Sequence, residues 1–390
     1  MMSDNYIKPS LRQLPVYVLY LLLGLCFSAC GGGADSTVDE NAVIADTLTH
    51  HARLLTIAVR PDSVVLVDIR DPWQPERIAW RYALIDSGMA MPDSLPPGVV
   101  AVRTPIDRMA VFSSVHTSAI AELGAIDAMR AVAEAHYFAT DDTVQALVAA
   151  GKVTDVGKAT QPSTERLVAS GARAVLNSPM QGTTLNLPVG MTQIPMADYM
   201  ETTPIGRAEW ILLLGELTGR RDEARAIFDS VIDNYSELVF KASGAESPKP
   251  KVLTDTEYSG VWYVPAGDSY MARMIADAGG ILPWDDMPGS GSLALGLETV
   301  AERALDADVW LVRSFGYDTT PESLAAVNPR YKTFKAWREG NIYSCNSAER
   351  NIFDATAFHP DEVLAEYVAI FHPDVMPGYE LKYFRRTGGK

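Results

Sequence analysis

From Met109 onward, short apolar runs alternate with stretches patterned as helices, and no other feature of the chain constrains its fold as much. Residues 108–112 (RMAVF) read as a strand, and the helix that follows 113–116 runs through Leu123 and stops at Gly124. Residues 132–135, a loop over 136–142 and a helix over 143–150 ended by Gly151 repeat the cycle. Strands separated by helices cannot close as hairpins. They pair in parallel through helical crossovers, which gives an α/β fold. Apolar runs at 174–176, 251–254 and 309–312 carry the pattern into the second half.

A helical block separates the halves. Pro204 suits a first helical turn, and 207–217 carries apolar residues on one face before Thr218 and Gly219 interrupt it. Residues 222–241 then give about 20 positions, roughly 30 Å of helix. Ala226, Ile227, Val231, Ile232, Leu238 and Val239 recur there at helical spacing. The stretch 243–250 (SGAESPKP) closes the block. The expected architecture is two Rossmann-like α/β lobes joined by a single long helix.

An internal echo accompanies this division. Residues 163–169 (STERLVA) lead into the strand at 174, and 296–301 (GLETVA) lead into the strand at 309. Each places a glutamate, Glu165 or Glu298, at the start of a short helix. The helix dipole favours an acid there in any case, so on the residues alone two ordinary helix starts are the preferred reading.

Ahead of the lobes, Lys8 and Arg12 precede an apolar run over 14–29, too short to span a bilayer, which takes about 20 residues. A basic start, a short apolar core and small residues at its end are the marks of a secretory signal over 1–29. The end, Phe27-Ser28-Ala29-Cys30, resembles a bacterial lipobox in which Cys30 takes the lipid, and Gly31, Gly32 and Gly33 begin a flexible tether over 30–51. Residues 54–59, 64–69 and 80–85 are strand-like, Pro61-Asp62 is a turn pair, and 92–98 is a loop. They form a small antiparallel β extension over 52–108. The remaining boundaries are an N-terminal lobe over 109–202, a helical segment over 203–246 and a C-terminal lobe over 247–390.

The chain holds 49 acidic and 33 basic residues, a net charge of −16. So acidic a body does not suit nucleic acid, whose phosphates require basic patches. With Cys26 in the signal and Cys30 lipidated, Cys345 stands alone, and the mature chain has no internal disulfide or thiolate cluster. No Gly-x-Ser-x-Gly elbow, phosphate loop, dinucleotide fingerprint or His-Glu-x-x-His occurs. No enzymatic activity and no cofactor are therefore expected.

Several segments together resemble the periplasmic binding proteins that serve iron-siderophore, haem and vitamin B12 ABC importers. They are Val111-Phe112-Ser113-Ser114 with its helix, Val156-Gly157 before Pro162-Ser163-Thr164-Glu165, the stretch 204–210 (PIGRAEW), and 264–269 (VPAGDS) leading to 277–280 (DAGG). The resemblance covers roughly 109–373 and leaves out the β extension. It implies a lipid-anchored periplasmic monomer that captures a corrinoid, haem or ferric siderophore between its lobes and delivers it to importer permease subunits. It also gives the glutamates a role, since one exposed Glu per lobe, here Glu165 and Glu298, meets basic residues of the permease. Ligand contacts are expected from loops at the carboxyl ends of strands: His136, Tyr137, Gln181, Trp262, Tyr263 and Arg350, the last near where relatives place a ligand-contacting Arg. Trp284 and Phe315 divide evenly between core and cleft. Two rival readings are a free-metal binder, which would need His116, His136, His359 and His372 to converge, and a two-lobed chelatase-like enzyme.

Overall fold

A computed structural model describes residues 44–138 and 142–387. The expected signal over 1–29, Cys30 and the tether up to 43 lie outside the described residues. Among those described, no helix is long and apolar enough to cross a membrane.

The chain begins with a five-stranded sheet in the order β1 (Asp46–Thr47), β2 (Leu55–Val59), β3 (Val65–Asp71), β4 (Gln74–Asp86) and β5 (Val100–Thr104). The first four pair antiparallel, but β5 lies parallel to β4. The extension is therefore mixed rather than antiparallel. Residues 46–47, expected in the tether, are its first strand. The following chain is pinned by carboxylates: Glu209 accepts from the N–H groups of His50, His51 and Ala52 at 2.7–2.9 Å, and Glu201 from those of Arg53 and Leu54 at 2.8–2.9 Å. Residues 46–51, which the sequence assigns to the tether, therefore belong to the extension.

The N-terminal lobe is a parallel sheet in the order β10-β9-β6-β7-β8. Its strands are β6 (Met109–Val111), β7 (Met129–Val132), β8 (Thr154–Asp155), β9 (Ala174–Asn177) and β10 (Thr192–Pro195), with crossover helices α1 (Ser114–Glu122), α2 (Asp142–Ala149) and α3 (Thr164–Ser170). Ser163 caps α3 by accepting from Arg166 N at 3.3 Å, and Gly171, at φ +70°, ends it in the left-handed conformation. Leu55, Ile57 and Val67 of the extension share one buried core with Met109, Val111 and Leu176. The extension is thereby fastened to this lobe.

Three helices link the lobes: α4 (Pro204–Ala208), α5 (Ile211–Thr218) and α6 (Arg221–Ser243). The one-faced helix expected over 207–217 is instead broken at Glu209 and Trp210, and every residue of α5 is buried. Helix α5 lies against α6 so closely that a Cβ on Gly215 would meet the Ala224 Cβ at 2.5 Å, which restricts that position to glycine. The 23 residues of α6 make roughly 35 Å of helix. Phe228 and Val231 join the N-terminal core, while Tyr235, Leu238 and Ala242 join a second one.

That second core belongs to a sheet in the order β11 (Val252–Thr254), β15 (Val309–Ser314), β16 (Ile342–Asn346), β17 (Arg385–Arg386), parallel except for its last strand. Beside it stands an antiparallel sheet of β12 (Glu257–Tyr258), β13 (Val261–Pro265) and β14 (Ser292–Leu295). Helices α7 (Tyr270–Asp277), α8 (Leu297–Ala304), α9 (Pro321–Val327) and α10 (Lys335–Arg338) cover the sheets. Helices α11 (Ile352–Phe358) and α12 (Pro360–Phe371) follow, and α11 returns toward the first lobe, where Ala357 and Phe358 enter its core.

Candidate functional site

The carboxyl ends of the parallel strands of both lobes face one cleft, where open α/β sheets present their loops. One half is a cavity of about 480 Å³ between Met180, Gln181 and Tyr199 on one side and Tyr263, Tyr270 and Arg313 on the other. The other half, about 460 Å³, lies between Phe112, Glu134 and Tyr137 and the opposing Phe315, Asn351 and Phe353. Tyr137 and Phe315 meet edge to face across the lobes with centroids 5.5 Å apart. The Arg313 guanidinium stands 5.8 Å from the Phe353 ring centroid and connects the halves.

Arg313 ends the buried run of β15 and is clamped by Asp255, with Nε at 3.0 Å from Oδ1 and Nη2 at 2.5 Å from Oδ2. Burial alone would discourage the charged guanidinium, but the facing Asp255 carboxylate outweighs that and raises its pKa. Asp255 sits at φ +56°, a left-handed conformation that Asp tolerates better than most residues. Its backbone is held by Leu311 O, which accepts from its N–H at 2.7 Å, and by the Trp310 indole, which donates to its carbonyl at 2.8 Å. Nη1 of Arg313 faces the Met271 sulfur at 3.9 Å, so the fork keeps capacity for an acceptor in the cleft.

A second charged group lies at the lobe junction. Asp198, fully buried, accepts from Arg207 Nε at 3.1 Å and lies 2.8 Å from His116 Nε2. Burial would raise its pKa, yet His116 and Arg207 together hold the carboxyl below the usual range. The guanidinium of Arg207 in turn sits 4.6 Å over the Tyr270 ring, at the first residue of α7 in the opposite lobe.

The structure sorts the expected ligand residues. Tyr137, Gln181 and Tyr263 line the cleft. His136 is exposed beside Tyr137, ring centroids 4.0 Å apart, and is not among the residues walling either half. Trp262 does not reach the cleft. It is fully buried, its indole N–H donates to Thr254 O at 2.8 Å, and it packs on Trp310, Tyr331 and Phe334 at 5.3–6.0 Å. Successive strand residues face opposite ways, so Trp262 points into the core while Tyr263 points out. Arg350 is spent on the C-terminal segment, donating to Tyr383 O at 2.6 Å, with Asp318 and Glu349 at 3.6 and 3.8 Å. Trp284 is core, and Phe315 is cleft.

Glu165 and Glu298 are both exposed in first helical turns. They differ in one respect: Arg330 donates two bonds to Glu298 at 2.6 and 2.8 Å and holds its carboxyl below the ordinary range. The four histidines occupy separate places. His116 is on Asp198, His136 beside Tyr137, His359 on Glu122 at 2.8 Å, and His372 near Ser247 at 2.7 Å. Among the described residues, no group of three or more His, Cys, Asp or Glu side chains is placed to hold a metal. Sequence reading missed Asp255, Arg313, Tyr270 and Phe353. A lone cation after four apolar strand residues was the available signal for Arg313.

A family model described as periplasmic binding protein matches residues 110–349. An uncharacterized lipoprotein of Methanocaldococcus jannaschii is 30% identical over 244 residues, covering 61% of this chain and 57% of that one. A second from the same organism is 27% identical over 201 residues, half of each chain. The chain thus spans about half the length of the curated relatives it matches. Among solved structures, a periplasmic haem-binding protein from Pseudomonas aeruginosa superposes with a TM-score of 0.57 at 14% identity, covering 73% of this chain and 99% of that one. A periplasmic binding protein from Veillonella parvula gives 0.55 at 15% identity, covering 70% and 93%. At such identities the likeness is one of fold.

Proposed function

Because the chain belongs to the periplasmic binding protein family, we propose that it is the substrate-binding component of an ABC importer and carries a metal chelate between its lobes. The observation that supports this most is the cleft, whose two halves are walled by Tyr137, Tyr263, Tyr270, Phe315 and Phe353 and joined at one clamped guanidinium. Aromatic faces and edges suit a planar macrocycle. The remaining donors of Arg313 suit a carboxylate or amide carbonyl on its rim. A corrinoid or haem fits this better than a catecholate siderophore, which would call for clustered cations. The haem-binding neighbour from Pseudomonas aeruginosa points the same way.

Two further parts belong to the proposal. Cys30 carries a lipid that holds the protein at the membrane of the periplasm, in keeping with the name of the Methanocaldococcus jannaschii relative. Glu165 and Glu298 dock the loaded protein on the permease, one on each lobe. The direct test is titration with hemin, cyanocobalamin and a ferric siderophore, read in the visible spectrum. One of them should bind at one equivalent, and Tyr137→Ala with Tyr263→Ala should each weaken it by about 1–3 kcal/mol, the range for aromatic anchors. Binding of none sinks the reading.

A further inference from the structure

The β extension lies outside the matched family region, yet it reaches the cleft. Between β3 and β4 the chain turns through Pro72 and Trp73, and Asp71 locks the turn: its Oδ1 accepts from Trp73 N at 2.9 Å and Gln74 N at 3.2 Å, and Arg77 holds its other oxygen. Asp71 is itself buried. Trp73 stays half-exposed and forms part of the wall of the 480 Å³ half of the cleft. It also lines a third cavity of about 350 Å³, between the extension and the N-terminal lobe, with Trp80, Phe112 and Leu185.

This third cavity is a branch of the cleft rather than a separate site. It shares Trp73 and Met180 with one half, and Phe112 and Ser178 with the other. No charged side chain lines it, and its polar groups are hydroxyls and the amide pair Gln193 and Asn177, 3.0 Å apart. Three aromatic side chains with neutral polar partners select against charge and favour a flat ring. A half-exposed tryptophan at a locked turn that lines both cavities leaves apolar surface that an occupant would cover.

We propose that the extension is part of the binding site, with Trp73, Trp80 and Phe112 forming a side pocket for an uncharged, flat portion of the ligand whose metal-bearing core lies between the lobes. This rests on the cleft being the ligand site. The test is titration of the full chain, Trp73→Ala and Trp73→Phe with hemin, cyanocobalamin and ferric enterobactin, alongside thermal melting of each unliganded protein. For the probe that binds the parent, Trp73→Ala should weaken binding at least about tenfold. Trp73→Phe should recover most of it, and the melting temperatures should agree. Parent-like affinity in Trp73→Ala overturns the side pocket and leaves the cleft reading standing. Equal loss in both variants with lowered melting temperatures assigns Trp73 to folding and overturns the proposal as well. If the parent binds no probe, both readings fall.

Discussion

The two lobes repeat one architectural idea with different materials. In the N-terminal lobe the sheet core is built of small and aliphatic side chains, such as Met109, Val111, Val175 and Leu176. In the C-terminal lobe, four rings, Trp262, Trp310, Tyr331 and Phe334, pack on one another within 6.3 Å. The first lobe gains area by sharing its core with an added sheet; the second concentrates it in a few large residues. The echo of Glu165 and Glu298 shows the same split, since the helices correspond while only Glu298 has an ion-pair partner. Matching backbone positions therefore do not carry matching electrostatics.

The largest effect should come from the aromatic cluster. Trp262→Ala removes a ring that touches three others and should cost about 3–5 kcal/mol, read by denaturant unfolding. Its neighbour Tyr263→Ala should stay within about 0.5 kcal/mol, because Tyr263 is half-exposed. Leu176→Ala, in the aliphatic core, should fall toward the lower end of about 2–5 kcal/mol. Equal losses for Trp262 and Leu176 would erase the contrast between the cores.

Charge reversal sharpens the second contrast. Glu165→Lys should lower melting only slightly, because it loses just the favourable placement of an acid at the helix start. Glu298→Lys places a second cation beside Arg330 and should lower melting somewhat more, with the loss shrinking as salt rises. If both dock on the permease, each reversal should impair chelate-dependent growth without changing chelate affinity. Normal growth of the double variant would remove the docking role.

The smallest effect belongs to His359, which ties the junction of α11 and α12 to Glu122 in the last turn of α1. The hydrogen bond that His359 donates to the Glu122 carboxylate raises the imidazole pKa above its ordinary 6.5. A raised pKa means the contribution is complete below about 6.5 and fades as pH climbs through the folded value. Both side chains are partly exposed, so a few tenths of a kcal/mol is the expected size. Glu122→Gln should flatten the stability profile above pH 6; an unchanged slope would show that the pair contributes nothing.

Much of this fold was legible because period and punctuation agree. Apolar runs mark the strands, Gly124 and Gly151 end helices, and the spacing over 222–241 marks the bridge. What escaped depended on partners far away in the chain. Strand β5 went unseen because its residues alternate only weakly and its pairing with β4 is parallel. The break at Glu209 carries no Pro or Gly, and that glutamate instead binds amides some 158 positions earlier. The assignment of Trp262 and Tyr263 turned on strand parity, which two adjacent aromatics cannot reveal. Arg350 looked free for a ligand until Tyr383 was beside it.

The grip of Glu201 and Glu209 on the amides of residues 50–54 has a mechanical side. Five N–H groups directed at two carboxylates make that point a cleat. A pull on the chain ahead of Asp46 meets the short strand β1 first, and the two carboxylates are the second hold behind it. Glu201→Ala with Glu209→Ala would remove the second hold and leave the start of the extension resting chiefly on the two-residue strand at Asp46–Thr47.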